Sequence, residues 1–347
     1  MNLAFLQRLL EATGPTGFEA EAVRVWAEEA RSFADRVFTD HLGNGYATIN
    51  PGASPRVMFS GHVDEIGVIV SYIDEGGMAY VQGLGNWDAQ VLVGQRVRFV
   101  GPQGAVSGVV GRKPIHLLEG DERDKTPKLK DLYIDLGARD KAEAEQWLEV
   151  GSVGVIDQPP RYLLGRRMVS KGIDNRIGAF VVLEGLRLAK EWGVQAEVTA
   201  VASVQEEIGA YGARTAAFQL RPDSALIVDV TPCSKQVGVD PKQTGEGALG
   251  AGAVLDVGPF VHPKVLRQLR DLAARAQLSY KLATHGRSSG TDTDEVAMVR
   301  GGIPCGLVSV PNRYMHSPSE MIDLGDVEQI VKLFALYAQN PATEFTR

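Results

Sequence analysis

Seven histidine and carboxylate side chains in this 347-residue sequence lie beside short apolar or glycine-rich runs, and their chemistry is that of metal ligands. They occupy five segments: His62 and Asp64 after RVMFS, Asp174 in KGIDNRIG, Glu206 and Glu207 after VTAVASV, Asp229 after ALIV, and His316 after CGLVSV. Imidazoles combined with carboxylates suit Zn²⁺, Co²⁺ or Mn²⁺, whereas Mg²⁺ and Ca²⁺ prefer oxygen ligands alone. One ligand from each of the five segments already makes five, which is too many for one tetrahedral ion with an open position. The set therefore predicts two ions that share one carboxylate.

Paired ions a few Å apart activate a bridging water and stabilise the oxyanion that develops during hydrolysis. Glu206 and Glu207 are adjacent, so one of them can bind an ion while the other takes the proton from that water. Asp64 lies two residues after His62 and can accept the second N–H of its imidazole, which fixes the tautomer. The residue types thus indicate a hydrolase.

Each residue taken alone has a plainer interpretation. His62 could be a core histidine, Asp174 a helix N-cap and Glu206–Glu207 a solvated pair. Asp229 differs because it ends an apolar strand, where a carboxylate is costly to bury unless a cation neutralises it. Ligand sites in open α/β sheets form at the carboxyl ends of the strands, so we expect the five segments to converge.

The surrounding pattern predicts an α/β fold in which helices cover both faces of a central sheet. Apolar residues recur at helical spacing over residues 18–33, 175–192, 263–277 and 325–338, and the first residues form another amphipathic helix. Short β-rich runs alternate with them, at residues 56–60, 198–204, 225–230 and 305–310. Continuous apolar strands between amphipathic helices are typical of a sheet covered on both sides.

Residues 67–166 have a different texture, with strand-like runs separated by glycine and proline and one short helical stretch at residues 141–148. A hundred residues is too long for a loop in a compact domain. We therefore expect a small, barrel-like β domain at 67–166, inserted into a catalytic α/β domain formed by residues 1–66 and 167–347. Within it, the segment from Glu119 to Asp131 has nine charged residues in thirteen and is interpreted as a solvated loop, a lid or a subunit contact.

Composition narrows the partners and the compartment. The net charge is −7 and no dense Lys/Arg tract is present, which argues against a nucleic-acid partner. No apolar run approaches the roughly 18 residues of a membrane span, and the N-terminus has no signal-peptide pattern. Cys233 and Cys305 are the only cysteines, too few for a disulfide framework, so we expect buried thiols and a cytoplasmic protein. Four histidines outside the five segments are assigned no role: His41, His116, His262 and His285.

The motifs SGHVDEIG, KGIDNRIGAF, VQEEIGAYGA, IVDVT and RYMHSPSEMID occur in this order. Together they resemble the tetrahedral (TET-type) dinuclear metallo-aminopeptidases, a group that includes glutamyl and deblocking aminopeptidases and proteins described as endoglucanase-like. The resemblance implies a two-metal exopeptidase fold with a mixed central sheet. In this fold one ion is held by His62, Asp174 and Asp229 and the other by Asp174, Glu207 and His316. It further implies Glu206 as general base, Asp64 as the orienting residue, and dimers that assemble into a hollow dodecamer through the insert.

The resemblance predicts an aminopeptidase that removes N-terminal residues from short peptides with a free N-terminus. It implies two divalent ions per subunit, with zinc favoured and cobalt or manganese as alternatives. Two other functions stay open: an endoglucanase-type glycoside hydrolase, which would leave both histidines without a role, and a non-catalytic peptide-binding assembly protein.

One segment departs from the family pattern. Gly290-Thr291-Asp292 looks like the family's Gly-Thr-Asp, but Thr293, Asp294 and Glu295 follow where small residues are usual. If this loop faces the substrate, the two added carboxylates would favour substrates with cationic side chains. Alternatively, they are acidic residues at an exposed helix start, where they favour the helix dipole.

Overall fold

The computed structural model describes residues 1–120 and 123–345. Its helices are α1 (Leu3–Glu11), α2 (Ala20–Ala30), α3 (Ala89–Leu92), α4 (Lys141–Trp147), α5 (Ile173–Glu191), α6 (Tyr211–Leu220), α7 (Pro241–Thr244), α8 (Pro263–Arg275), α9 (Asp292–Val296) and α10 (Leu324–Gln339). Each helical stretch predicted from the sequence is confirmed with shifts of a few residues at its ends, whereas α3, α6 and α7 were not predicted.

The strands divide among three sheets. The first nine are β1 (Arg36–Thr39), β2 (Gly45–Ile49), β3 (Arg56–His62), β4 (Gly67–Ile73), β5 (Ala79–Leu84), β6 (Arg96–Gly101), β7 (Gly104–Gly111), β8 (Tyr133–Asp135) and β9 (Val153–Ile156). The others are β10 (Arg161–Tyr162), β11 (Arg167–Ser170), β12 (Glu197–Ser203), β13 (Ser224–Pro232), β14 (Ala253–Val257), β15 (Tyr280–Thr284), β16 (Cys305–Asn312) and β17 (Glu320–Asp323).

The central sheet has eight strands in the order β1-β2-β12-β3-β13-β16-β14-β15. Its four middle strands, β12, β3, β13 and β16, are mutually parallel, while β2 and β14 join them in antiparallel orientation. The sheet is therefore mixed, as the resemblance implies. Because the four parallel strands run the same way, their carboxyl ends lie side by side at one edge.

Helices cover both faces of this sheet, and the alternation along β3 shows why. Val57 and Phe59 belong to one buried apolar cluster, which contains residues of α1, α2, α5, α8 and α10. Met58, between them, belongs to a second cluster with residues of α6 and α9. Successive side chains of a strand point to opposite faces, so these apolar strands need a helical layer on each side. Cys233 and Cys305 are fully buried free thiols, as predicted.

The inserted segment forms a closed barrel of β4, β5, β8, β7, β6 and β9, from Gly67 to Ile156, around its own apolar core. The predicted barrel-like β unit is thus confirmed. Strands β10 and β11, at residues 161–170, instead pair with β17 in a separate three-stranded sheet. The division of the chain at residues 66 and 166 stays a prediction.

The charged segment at residues 119–131 includes Asp121 and Glu122, which lie outside the described residues. At its far end Leu129 packs against the barrel core. Among residues 1–120 and 123–345, no helix combines the length and the apolar character that crossing a membrane requires.

Helix α5 approaches β3 so closely that β3 has no room for a side chain at the contact. A Cβ on Gly61 would lie 2.5 Å from the carbonyl carbon of Gly178, and a Cβ on Gly178 would lie 2.3 Å from the side chain of Asn175. Gly61 lets the start of α5 lie directly over the end of β3, where His62 follows, and Gly178 leaves room for the side chain of Asn175 within α5. Where two backbones lie this close together, only glycine fits without displacing the neighbouring chain.

Replacing Gly61 with Ala should therefore lower the free energy of unfolding by about 1–3 kcal/mol, because the new methyl group meets backbone that cannot rotate away. Chemical denaturation of the variant measures this. Gly301→Ala is the matched control, since a Cβ there meets nothing within 4 Å. Equal stability of the two variants would contradict the proposed packing.

Candidate functional site

The carboxyl ends of the four parallel strands bring the sequence-predicted residues together. His62 is the last residue of β3, Asp229 lies in the second half of β13, and the two glutamates follow β12 by three and four residues. His316 follows β16, which pairs with β13. Asp174 comes from the first turn of α5, which packs over β3. The predicted convergence of the five segments is what the structure shows.

The imidazole of His62 lies at the centre of one half of the site. Its Nε2 is 3.3 Å from Asp174 Oδ1, 3.6 Å from Glu206 Oε2 and 3.9 Å from Asp229 Oδ1. Only 1% of the side chain is exposed. A single ring nitrogen cannot donate to three carboxylates, so these oxygens surround a position suited to a cation.

His316 organises the other half. Its Nε2 is 3.2 Å from Asp174 Oδ2 and 3.2 Å from Glu207 Oε1. Asp174 therefore presents one carboxylate oxygen to each histidine. Glu207 Oε1 is buried and meets no donor with hydrogen-bond geometry, which leaves it available to a metal ion.

The donor atoms fall into groups that fit metal ions. Each of three groups has donor atoms within 4.8 Å of one another: His62, Asp174 and Asp229; Asp174, Glu207 and His316; and His62, Glu206 and Glu207. The first two share Asp174 and coincide with the two ligand sets implied by the family resemblance. Two nitrogens and several carboxylate oxygens are a donor set that suits Zn²⁺, Co²⁺ and Mn²⁺. The residues present therefore fit divalent metal ions.

Electrostatics at the site reflect buried, crowded carboxylates. Burial raises the pKa of Glu206 to about 10 and that of Asp229 well above its usual range, and neighbouring carboxylates add to both shifts. Burial also opposes ionisation of Asp174, but hydrogen bonds from His316 and His62 outweigh it and lower its pKa. Protons or cations must neutralise such a cluster, and divalent ions do so while leaving the carboxylates ionised.

Asp64 supports both the histidine and the glutamates. His62 Nδ1 lies 3.2 Å from the backbone carbonyl oxygen of Asp64 and 3.4 Å from its Oδ1. The two carboxylate oxygens also accept the backbone N–H groups of Glu206 and Glu207, each at 3.2 Å. The sequence predicts the contact with His62 but not the second one, which fixes the turn that presents the glutamates.

Two residues that follow Asp174 hold the segment in place. Asn175 donates to the carbonyl of Val228, next to Asp229, at 2.8 Å and accepts from the amide of Gly178 at 3.0 Å. Arg176 is fully buried and pairs with Glu65 at 2.8 Å. Its other N–H groups donate to backbone carbonyls of Val63, Leu9, Leu10 and Ala12. The chain around the ligands is thus tied to β13, β3 and α1.

A cavity of about 350 Å³ opens onto these residues. Besides the ligand candidates, its wall includes Asn86 from the barrel side, Ser289 and Thr291 from the loop before α9, and Met315. The space is comparable to the lower end of typical ligand pockets. A short peptide terminus could therefore reach the two histidines.

His285, which received no role from the sequence, lines this cavity. Its Nε2 lies 2.8 Å from Oδ1 of the fully buried Asp256, and Asp256 Oδ2 accepts from Ser309 at 2.7 Å. The only sequence signal was a carboxylate in the apolar run AVLDV. The parallel pairing of β14 with β15 brings it beside a histidine 29 residues away.

The loop that departs from the family pattern does not present its added carboxylates to the cavity. Asp294 accepts from the backbone amides of Ser289 and Gly290 at 2.9–3.0 Å, and Glu295 pairs with Arg214 at 3.2 Å. The expectation of a preference for cationic side chains is therefore unsupported. The structure agrees with the alternative, in which these are acidic residues at the start of a helix. The preceding Asp292 is buried, and its carboxylate accepts a hydrogen bond from the Ser203 hydroxyl at 2.6 Å.

Comparison with known proteins identifies the family. The family model of M42 glutamyl aminopeptidase matches residues 43–333. The chain belongs to the M42 glutamyl aminopeptidase family. It is therefore a peptidase of the aminopeptidase class, in agreement with the function predicted from its motifs.

Several M42-like relatives match along their whole length. A lysyl aminopeptidase of Pyrococcus furiosus is 33% identical over 346 residues, covering 98% of each chain. The crystal structure of a TET aminopeptidase from a marine sediment archaeon of the Thaumarchaeota superposes with a TM-score of 0.93 at 33% identity, covering 98% of this chain and 96% of the other. The TET1 peptidase of Pyrococcus horikoshii, which can assemble into a tetrahedron or a large octahedral shell, gives 0.87 at 28% identity, covering 97% and 99%.

The contact between His285 and Asp256 predicts a pH response. The hydrogen bond with Asp256 raises the pKa of His285 above its usual 6.5 against the effect of burial, and Asp294 adds to the rise. In Asp256→Asn the imidazolium loses its main partner, so the His285 titration observed by NMR should move to lower pH. Ser309→Ala, which leaves the His285 contact intact, should shift it less. An unchanged midpoint in Asp256→Asn would refute the pairing.

Proposed function

We propose that this M42 family member is a dinuclear metallo-aminopeptidase that removes N-terminal residues from short peptides with a free α-amine. The observation that carries the proposal is the pair of ligand groups that share Asp174 at the strand ends. His62, Asp174 and Asp229 would hold one ion, and Asp174, Glu207 and His316 the other. We favour zinc, with cobalt or manganese as alternatives, because imidazole and carboxylate ligands suit all three.

When bound, the ions would activate water and polarise the scissile carbonyl. The protein's own contribution is acid–base chemistry. Glu206 lies outside both Asp174-sharing groups, yet its Oε2 is within 3.6 Å of His62 Nε2. It takes a proton from the attacking water and returns it to the leaving amine. Asp64 fixes the His62 ring and, through the two backbone amides, the position of Glu206.

The same scaffold supports a proposal on assembly. We infer a homo-oligomer, a dodecamer built from dimers, with the inserted segment 67–166 taking part in the contacts. The tip between β10 and β11 leaves apolar side chains in solvent, with Leu164 93% exposed and Tyr162 60% exposed. Exposed apolar patches of this kind are typical of protein interfaces. Unpaired Cys233 and Cys305 agree with a reducing, cytoplasmic setting.

The two alternatives have less support. A glycoside hydrolase needs two carboxyl groups on opposite sides of a bond, about 5–9 Å apart, and would leave both buried histidines without a role. A non-catalytic assembly protein would need neither a general base nor a complete ligand set, and this chain has both. Neither alternative is favoured by a specific contact in the site.

The direct test is a metal-reconstituted assay over chromogenic substrates of all amino acids, with N-acetylated versions as controls. We expect hydrolysis of free aminoacyl substrates only, because the α-amine must be free. Cleavage of the acetylated controls would refute an aminopeptidase. Release of reducing sugar from soluble glucan by metal-free enzyme would instead support the glycosidase. A lack of hydrolysis with added Zn²⁺ or Co²⁺ would support the assembly protein.

Glu206→Gln should retain both ions and lower kcat by about 10²- to 10⁴-fold, because general acid–base catalysis contributes that much. Glu207→Gln is the contrasting neighbour and should lose metal, as elemental analysis would show. Glu295→Gln, which removes the same charge at the Arg214 pair, should remain near wild type. A nearly normal kcat in Glu206→Gln would refute its role as the base.

A further inference from the structure

Glu320, which the sequence analysis did not single out, makes two hydrogen bonds with the backbone of the metal site. It begins β17, and only 2% of the residue is exposed. Its Oε2 accepts the backbone N–H of Asp174 at 2.8 Å, and its Oε1 accepts the backbone N–H of His316, also at 2.8 Å. One buried carboxylate thus connects two residues that are 142 positions apart in the chain.

Both residues that Glu320 holds belong to the same ligand group. Asp174 and His316 form the second set together with Glu207, whereas His62 and Asp229 complete the first. Among the hydrogen bonds of the described residues, none joins Glu320 to His62 or Asp229. The contacts of Glu320 therefore bear on one ion position more than on the other.

The backbone at His316 needs such support. His316 has φ of 56°, in the left-handed region that residues other than glycine rarely adopt, and Tyr314 in the same loop has φ of 63°. Residues in this region persist only where the surroundings hold them. The bond from Glu320 to the amide of His316 spans four residues and closes the loop between β16 and β17.

We propose that Glu320 is a positioning residue that sets the affinity of the ion held by Asp174, Glu207 and His316, and leaves the ion at His62 and Asp229 largely unaffected. The inference rests on the proposed two-ion function. A carboxylate accepts at both oxygens, whereas a glutamine side chain accepts at one and donates at the other. Glu320→Gln therefore keeps one backbone contact and turns the other into an N–H facing an N–H.

Another site in the same protein provides a matched control. Asp326 in α10 is also fully buried and also accepts two backbone amides, those of Gly250 and Gly252, each at 2.7 Å. It contacts none of the ligand candidates through a hydrogen bond that the structure describes. Asp326→Asn thus makes the same chemical change to the same kind of contact, outside the site.

The experiment measures zinc per subunit by elemental analysis, and zinc affinity by competition with a chromogenic chelator. We expect two ions in the wild type and in Asp326→Asn. In Glu320→Gln one ion should bind about 10- to 100-fold more weakly, the usual effect of losing a partner of a ligand. Activity should return when zinc is raised, because Glu320 is not part of the cavity wall.

Combined variants locate the weakened ion. In a His316→Ala background Glu320→Gln should cause no further loss of zinc, whereas in an Asp229→Ala background it should remove the remaining tight ion. Wild-type affinity for both ions in Glu320→Gln, or equal weakening of both, would overturn the proposal. Should Glu320→Gln fail to fold, Glu320→Asp, which keeps two acceptors on a shorter side chain, should show a smaller weakening of the same ion.

A different result would refute the proposed function. A wild-type protein that binds no zinc, or binds two ions and hydrolyses no aminoacyl substrate, refutes the metallo-aminopeptidase. A wild type that binds two ions and hydrolyses these substrates, with both ions unchanged in Glu320→Gln, refutes only the role of Glu320.

Discussion

Negative charge buried at the ends of parallel strands is the constraint on which this structure depends. Asp174, Glu206, Glu207 and Asp229 meet around two histidines, out of most contact with water. The free energy of bringing ionised carboxylates together in a poorly solvated position is strongly unfavourable without cations. Two divalent ions would supply the missing positive charge, and the same ions would supply the chemistry of hydrolysis. Function and stability of the site therefore have one physical origin.

The surrounding chain holds these groups with contacts that leave little freedom. Gly61 lets α5 lie against β3, Gly178 leaves room for the side chain of Asn175, and Asn175 ties the start of α5 to β13. Asp64 and Glu320 are both buried carboxylates, and each accepts two backbone amides, one pair at Glu206 and Glu207 and the other at Asp174 and His316. The proposed ligands are thus positioned through their backbones, which would leave their side chains free to bind ions. Preorganisation of this kind is what precise metal and catalytic sites require.

The middle of the central sheet and the candidate ligands could be predicted from the sequence. The middle strands are buried on both faces, so β3, β12, β13 and β16 appear as apolar runs that end at the ligand candidates. Edge strands were missed because only part of each is buried: β1 has no buried residue and β15 has one in five. The short β2, fully buried, contains too little apolar sequence to stand out.

Contacts that depend on backbone direction could not be predicted. Glu320 lies within the quoted motif RYMHSPSEMID, but its role depends on where the amide of Asp174 points, which no spacing reveals. The sequence left open whether Asp294 faces the substrate or lies at a helix start, and its carboxylate accepts the amides of its own loop. His285 gained its place in the cavity wall from the pairing of β14 and β15, two strands that the periodicity did not predict.

In the proposed site, Asp174 lies between two cations. Anomalous diffraction from crystals of zinc-loaded protein, recorded above and below the zinc absorption edge, tests it most directly. A two-ion site predicts two peaks per subunit, one beside His62 and Asp229 and one beside Glu207 and His316, with Asp174 contacting both. A single peak, or peaks away from Asp174, would contradict it.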